Sequence, residues 1–163
     1  MARLKTLLNQ NRPIHLIGVG NPIRGDDALG LFIASKLRKR LGARPSKLVK
    51  IHESSIAPEF QIAKISKLDS LIIFDAVEHN SEPGSIIFAN LGDTRFGYFA
   101  THNIPLKLIP NISENMANIF VLGIQPGNVH IGEGLTKIVL ASANQIVERL
   151  AGLVEETRQN GLD

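Results

Sequence analysis

The sequence predicts an α/β protein: a three-layer α/β/α sandwich around a five-stranded, mostly parallel sheet with one antiparallel strand. Three observations carry this. Short apolar runs, such as residues 14–19 and 71–74, alternate with apolar stripes at helical spacing. One pair of runs is joined by too few residues for a helical crossover, so its strands should run antiparallel. The first run also opens into a helix through Gly18-Val-Gly-Asn-Pro-Ile-Arg-Gly-Asp-Asp-Ala-Leu-Gly30. Glycine-rich joins of this kind place ligands at the carboxyl ends of strands.

Taken in order, residues 1–13 hold only a Leu7-Leu8 pair among polar residues, so no signal-peptide core is expected. Residues 14–19 form the first strand. Leu29, Ile33, Leu37 and Leu41 then recur every four residues, with Phe32 beside them, as the stripe of a helix starting near Asp27. Asp26 or Asp27 is its expected cap and Gly42 its stop. Residues 47–51 read as the second strand, and Ser54, Ser55 and Pro58 open a short helix through about Lys67. Residues 71–74 run wholly apolar into Asp75, as suits a buried central strand. Pro83-Gly84 turns the chain into the fourth strand, residues 85–89, reversed relative to the third.

Residues 90–103 form the longest loop, a modest helix follows from Pro105, and residues 118–123 make the fifth strand. Gly132-Glu-Gly134 precedes a long amphipathic helix with Leu135, Val139, Ala143, Ile146, Leu150 and Val154 on its inner face. Its tail is expected to fray from Arg158. No repeat or shift in composition divides the chain, so residues 1–163 are expected to form one domain.

Composition narrows the function. No apolar stretch approaches the roughly 20 residues that span a bilayer. The absence of cysteine removes disulfides, thiolate metal sites and a cysteine nucleophile together. A cytoplasmic protein is expected. The net charge is only +3, and part of the excess is the cluster Lys36, Arg38, Lys39, Arg40 and Arg44 at the end of the first long helix. Basic residues there read as favourable charge near the helix C-terminus on a solvated face, with a docking surface for an acidic partner as the alternative. One tyrosine and no tryptophan leave little surface for stacking bases, which argues against nucleic acid.

The chemistry-bearing residues gather at strand ends. Asp26-Asp27 follow the first strand, Asp75 ends the third, and Thr101-His102-Asn103 falls late in the long loop. Two carboxylates beside a helix start would repel a phosphate, so the join looks built for a cation or for acid–base work. If the first and third strands are neighbours, Asp27, Asp75 and His102 can meet at one sheet edge. Such a set suits a divalent ion such as nickel or zinc, or a base that activates water. Each also has a structural reading: Asp27 as a cap, Asp75 as an acceptor for loop N–H groups, His102 as a packed loop residue. Asp26 is read as the cap, His15 and His130 as structural or exposed, and His79 as surface. His52 and Glu53, ending the second strand, are close enough to line the site.

These motifs resemble those of the hydrogenase maturation endopeptidases, which remove a C-terminal extension from the large subunit of nickel–iron hydrogenases. The likeness spans roughly residues 17–126. It includes Gly18-Val-Gly-Asn21, Gly25-Asp-Asp27 with Gly30, Ala57-Pro-Glu59, Leu71-Ile-Ile-Phe-Asp-Ala76, Pro83-Gly84, Thr101-His-Asn-Ile-Pro105 and Leu122-Gly-Ile-Gln-Pro126. Gly-Asp-Asp, Thr-His-Asn and Gly-Ile-Gln-Pro are most similar to the branch serving formate-hydrogenlyase and related membrane-bound hydrogenases. The resemblance implies that Asp27, Asp75 and His102 are the metal-contact triad. It implies a nickel-loaded large-subunit precursor as partner, with the metal at the triad either presented by that substrate or resident as a divalent ion, and Asp27 and Asp75 as catalytic candidates. Where the family commonly has Asp-Gly-Gly after the second strand, this chain has His52-Glu-Ser-Ser55, which bears on substrate fit at that side of the cleft.

Other functions fit less well. A phospho-acceptor receiver domain also uses an acidic pair and a third-strand aspartate, but it needs a lysine where this chain reads Gly123-Ile-Gln-Pro-Gly127. A dinucleotide-binding fingerprint needs a third glycine where Ile23 stands. Nickel binding or delivery without cleavage would use the same triad. An acyl-enzyme is disfavoured, since no Ser-His or Cys pairing is apparent.

Overall fold

The computed structural model describes residues 2–8, 12–42, 48–55, 61–66, 69–91 and 118–159. Its elements are α1 (Ala2–Leu8), β1 (Ile14–Val19), a 3₁₀ turn (Gly25–Ala28), α2 (Leu29–Leu41), β2 (Val49–Ser54), β3 (Ser70–Ala76), β4 (Ile86–Asn90), β5 (Ile119–Ile124) and a long helix, here α3 (Lys137–Gln159). The five strands lie in the order β2-β1-β3-β5-β4. All neighbours are parallel except β4, which runs antiparallel to β5. The mixed sheet expected from the short Pro83-Gly84 connection is therefore the one observed.

β1, β3 and β5 are buried at every position, because apolar layers cover both faces of the sheet. On one face Ile14, Leu16, Ile72, Phe74, Phe120 and Leu122 pack beneath the inner stripes of α1, α2 and α3. On the other, Ile17, Val19, Ile73 and Val121 pack with Ile62 and Ile65. Glycine sets how closely α2 approaches the first face. A side chain on Gly30 would overlap the carbonyl oxygens of Phe74 and Val19, and one on Gly18 would overlap the carbonyl of Gly30. These contacts fix the start of α2 against the ends of β1 and β3.

Several boundaries differ from expectation. α1 was not expected: Leu7 and Leu8 are two adjacent leucines without a repeat, yet both are buried against the helical layer. α2 starts at Leu29, after a separate 3₁₀ turn, and neither aspartate caps it. Gly42, with φ of 74°, ends it as expected. β2 starts two residues later than expected and runs on through His52 and Glu53 to Ser54, paired along β1. Ser54 is thus strand, not helix start. Of the short helix expected through about Lys67, residues 56–60 and 67 lie outside the described residues. Residues 61–62 are helical and turns follow, with Lys64 N donating to Gln61 O and Ile65 N to Ile62 O. β4 and β5 each sit one residue later than expected. α3 begins at Lys137 and does not fray at Arg158, whose Nη1 donates to Leu41 O at 3.2 Å. The helix expected from Pro105 and most of the preceding loop lie outside the described residues.

The basic end of α2 is largely answered within the chain. Arg38 Nη1 lies 3.3 Å from Glu53, and Arg40 reaches Glu148 and Glu155 on α3. Such exposed pairs are each worth about 0–1 kcal/mol. Among the described residues no helix is long and apolar enough to cross a membrane.

Candidate active site

The carboxyl edge of the sheet brings two of the three expected residues together. Asp75 lies in β3 one residue beyond the end of its pairing with β1, and its backbone pairs with Gly123 of β5. It is fully buried. Its Oδ1 accepts from the Ala76 N–H at 2.9 Å, whereas its Oδ2 is buried with no hydrogen-bond partner among the described residues. Burial pushes the carboxyl well above the ordinary carboxylate value, and the nearby charge of Asp27 pushes it further; the Ala76 hydrogen bond acts the other way. A buried carboxyl with an unanswered oxygen is costly for the free protein. It is also ready to receive a proton or a cation.

Asp27 is 5% exposed and stands in the 3₁₀ turn beyond β1. Its neighbour Asp26 is also buried but faces elsewhere. In a 3₁₀ turn successive side chains diverge by roughly 120°, since there are about three residues per turn. The pair in sequence is therefore split in space. Asp26 Oδ2 accepts from Gly127 N at 2.8 Å, Asn128 N at 2.9 Å and Thr136 Oγ1 at 3.0 Å, while Oδ1 accepts from Thr136 N at 2.7 Å. Its own N–H donates to Asn128 O. Asp26 does not cap α2 as expected. It clamps the loop after β5 and satisfies the backbone just before α3. Gly25, with φ of 48°, lets the chain enter this turn where a side chain would press on Asn128 O.

His102, with Thr101 and Asn103, lies outside the described residues. Among the described residues no cluster of three or more His, Asp or Glu side chains could hold a metal. Asp27 and Asp75 alone supply hard oxygen donors of the type that divalent cations take.

The remaining histidines are placed as follows. The ring of His52 stacks on His15 at 5.2 Å between centroids, with His15 Nδ1 and His52 Nε2 3.1 Å apart. His15 Nε2 meets Asp69 Oδ2 at 3.2 Å. Burial lowers the pKa of both rings. His52 is therefore engaged with a buried pair two residues short of the strand end, while Glu53 turns to Arg38. Neither side chain is directed to Asp75 by these contacts. His130 is exposed in a turn, and half-buried His79 lies 3.0 Å from Val77 O through Nδ1.

Gln125 is a residue that sequence reasoning did not single out. It is 8% exposed, and its Oε1 accepts from His79 N at 2.9 Å and Ser81 N at 3.5 Å. It thus holds the chain leaving β3 against the end of β5. The only signal for it was its place in Gly-Ile-Gln-Pro.

Comparison with known proteins points the same way as this geometry. Residues 32–153 match the model of the family HycI, hydrogenase maturation protease, a span that includes Asp75 and begins after Asp27. The hydrogenase 3 maturation protease of Escherichia coli K12 is 31% identical over 141 residues, covering 84% of this chain and 88% of the relative. The crystal structure of a [NiFe] hydrogenase maturation protease HycI from Thermococcus kodakarensis superposes with a TM-score of 0.74 at 26% identity, covering 94% of this chain and 99% of the other. The solution structure of the endopeptidase HycI from Escherichia coli gives 0.64 at 28% identity, covering 86% and 90%. With the fold shared and most of the chain covered by these matches, the chain belongs to the hydrogenase maturation protease family.

Proposed function

We propose that this chain is a cytoplasmic endopeptidase that removes the C-terminal extension of a nickel-loaded nickel–iron hydrogenase large-subunit precursor. Its metal-contact residues are Asp27, Asp75 and His102. Family membership supports the reaction class. The observation that carries the site is the buried Oδ2 of Asp75, unpartnered among the described residues and close enough to Asp27 to feel its charge. Two carboxylates in that state gain from an arriving cation. The substrate's nickel would relieve their repulsion and fix the scissile peptide in the cleft, turning a loose encounter into an oriented one.

Hydrolysis then needs one water to add to the peptide carbonyl carbon. The C–N bond breaks, and a proton reaches the leaving amine. Asp27 and Asp75 are the carboxylates placed to take the proton from water and return it, work worth about 10²–10⁴ in rate. The precursor's own nickel could add Lewis acidity at that carbonyl.

The test uses chelator-treated, metal-free enzyme with precursor prepared with and without nickel, and weighs the products. The expected result is a single cut in the nickel-loaded precursor only. Activity that returns only when an ion is restored to the enzyme would replace recognition by a resident metal. Tight binding with no cut under any condition would make the chain a nickel-recognising maturation factor instead.

A further inference from the structure

The large apolar side chains that stand exposed among the described residues are Ile23, Ile86, Ile131 and Ile138, at 58%, 42%, 74% and 55%. All four lie toward one edge of the sheet. Ile23 follows β1 and Ile131 follows β5, in loops leaving the carboxyl ends of those strands. Ile138 is in the first turn of α3, directly after the second loop. β4 runs antiparallel, so its first residue, Ile86, lies opposite Ile124, the last of β5. Apolar side chains exposed singly are ordinary on a protein surface. Here they fall in two pairs at that edge, Ile23 with Ile131 beside the Gly132–Ile23 hydrogen bond and Ile86 with Ile138 beside Gly84, and exposed apolar patches mark interaction sites.

Two of them sit on a rigid frame. Gly132 N donates to Ile23 O at 2.8 Å and Gly25 N to Glu133 O at 3.1 Å, so the loops pair like a short antiparallel ladder. Ile23 N donates to Asn21 Oδ1 at 3.1 Å. The Asp26 carboxylate anchors the loop after β5 from beneath. Side chains held by such a frame lose less backbone freedom on binding than those on a mobile loop. Asp27 and Asp75 lie at this same edge, so a protein whose peptide bond reaches them approaches the edge that carries these loops.

We propose that Ile23 and Ile131, flanked by Ile138 and Ile86, form an apolar docking rim for the folded body of the large-subunit precursor. The rim is separate from the contacts that hold nickel and the scissile peptide. This rests on the protease reading above. The occupant is the precursor and not a second copy of this chain, because self-association through this edge would cover the approach to Asp75. The precursor's matching surface is apolar and uncharged at its centre, since the four rim residues offer no counter-charge.

The test compares wild type, Ile131→Ser, the double variant Ile23→Ser/Ile131→Ser, and Lys39→Ser at the far end of α2 as a control. For each, Kd for nickel-loaded precursor is read by biolayer interferometry, KM and kcat by cleavage, oligomeric state by light scattering and Tm by scanning calorimetry. The double variant should raise Kd and KM at least about tenfold, with kcat within about twofold and Tm unchanged. Ile131→Ser should show part of that loss, and Lys39→Ser none. Unchanged Kd in the double variant overturns the rim. So does a wild-type dimer that the double variant dissolves with Kd for precursor unaltered. A wild type that binds the precursor without ever cutting it sinks the protease reading, while the Kd comparison still decides the rim.

Discussion

Asp26 and Asp75 are both completely buried carboxylates at the carboxyl edge of one sheet, and their surroundings are opposite. Asp26 accepts four hydrogen bonds from the loop after β5 and the entry to α3. Among the described residues Asp75 accepts one and keeps an oxygen with no partner, beside the charge of Asp27. Burial alone therefore does not mark a functional acid. A satisfied buried carboxylate holds structure together, whereas an unsatisfied one costs stability and is kept for what it will bind. The two should respond to substitution in opposite ways.

The largest effect falls on Asp75. Asp75→Asn keeps the shape but removes the charge and the exchangeable proton, and cleavage of nickel-loaded precursor should fall about 10³-fold. Near-normal turnover by this variant would break the contrast at its functional end. Next is Gly30→Leu, which would push α2 away from the carbonyls of Phe74 and Val19 beside Asp75. Overpacking against backbone should cost about 3 kcal/mol or more, and cleavage should fall with it. An unchanged Tm together with unchanged cleavage would show that the close approach does not matter.

Asp26→Ala should be a stability variant. Removing its four accepted bonds leaves loop donors partly unanswered, a loss of about 3 kcal/mol, or about 6–12 °C in Tm for a domain of this size. In the fraction that remains folded, precursor cleavage should stay far above that of Asp75→Asn. Asp75 also predicts a pH signature. Its folded pKa is raised, so the folded state holds a proton that the unfolded chain releases above about pH 4. That contribution favours the wild type at low pH and is lost as pH rises toward the folded pKa. The Tm of Asp75→Asn relative to wild type should therefore climb between about pH 4 and neutrality, and a flat difference would remove the linkage. Smallest is Lys5→Ala, which breaks the exposed 2.7 Å pair with Glu156 and should change stability by under about 0.5 kcal/mol in urea titration.

Much of the frame was legible in the sequence because apolar runs and helical stripes report burial directly. The runs at 14–19 and 71–74 placed β1 and β3, and the length of the Pro83-Gly84 connection gave the reversed β4. Other features leave no local trace. α1 carries only the adjacent Leu7 and Leu8 as a sequence signal, with tertiary packing deciding the matter. The sequence puts the end of β2 both at Ile51 and at His52-Glu53 because the last two are polar; their strand character comes from pairing with β1. Asp26 was misread as a cap because its partners are Gly127, Asn128 and Thr136, more than a hundred residues away, and a window along the chain cannot see them. Asp75 was legible as a strand-end acid, but its empty Oδ2 depends on which groups the fold fails to bring near it.

The most direct test is equilibrium urea unfolding of Asp75→Asn against wild type at pH 7. If Asp75 is an unsatisfied acid kept for recognition, the variant should be at least as stable as wild type, by up to about 1–2 kcal/mol, while inactive on the precursor. A loss of more than about 1 kcal/mol would mean that the Asp75 carboxylate supports the fold as Asp26 does, and the distinction between the two would be gone.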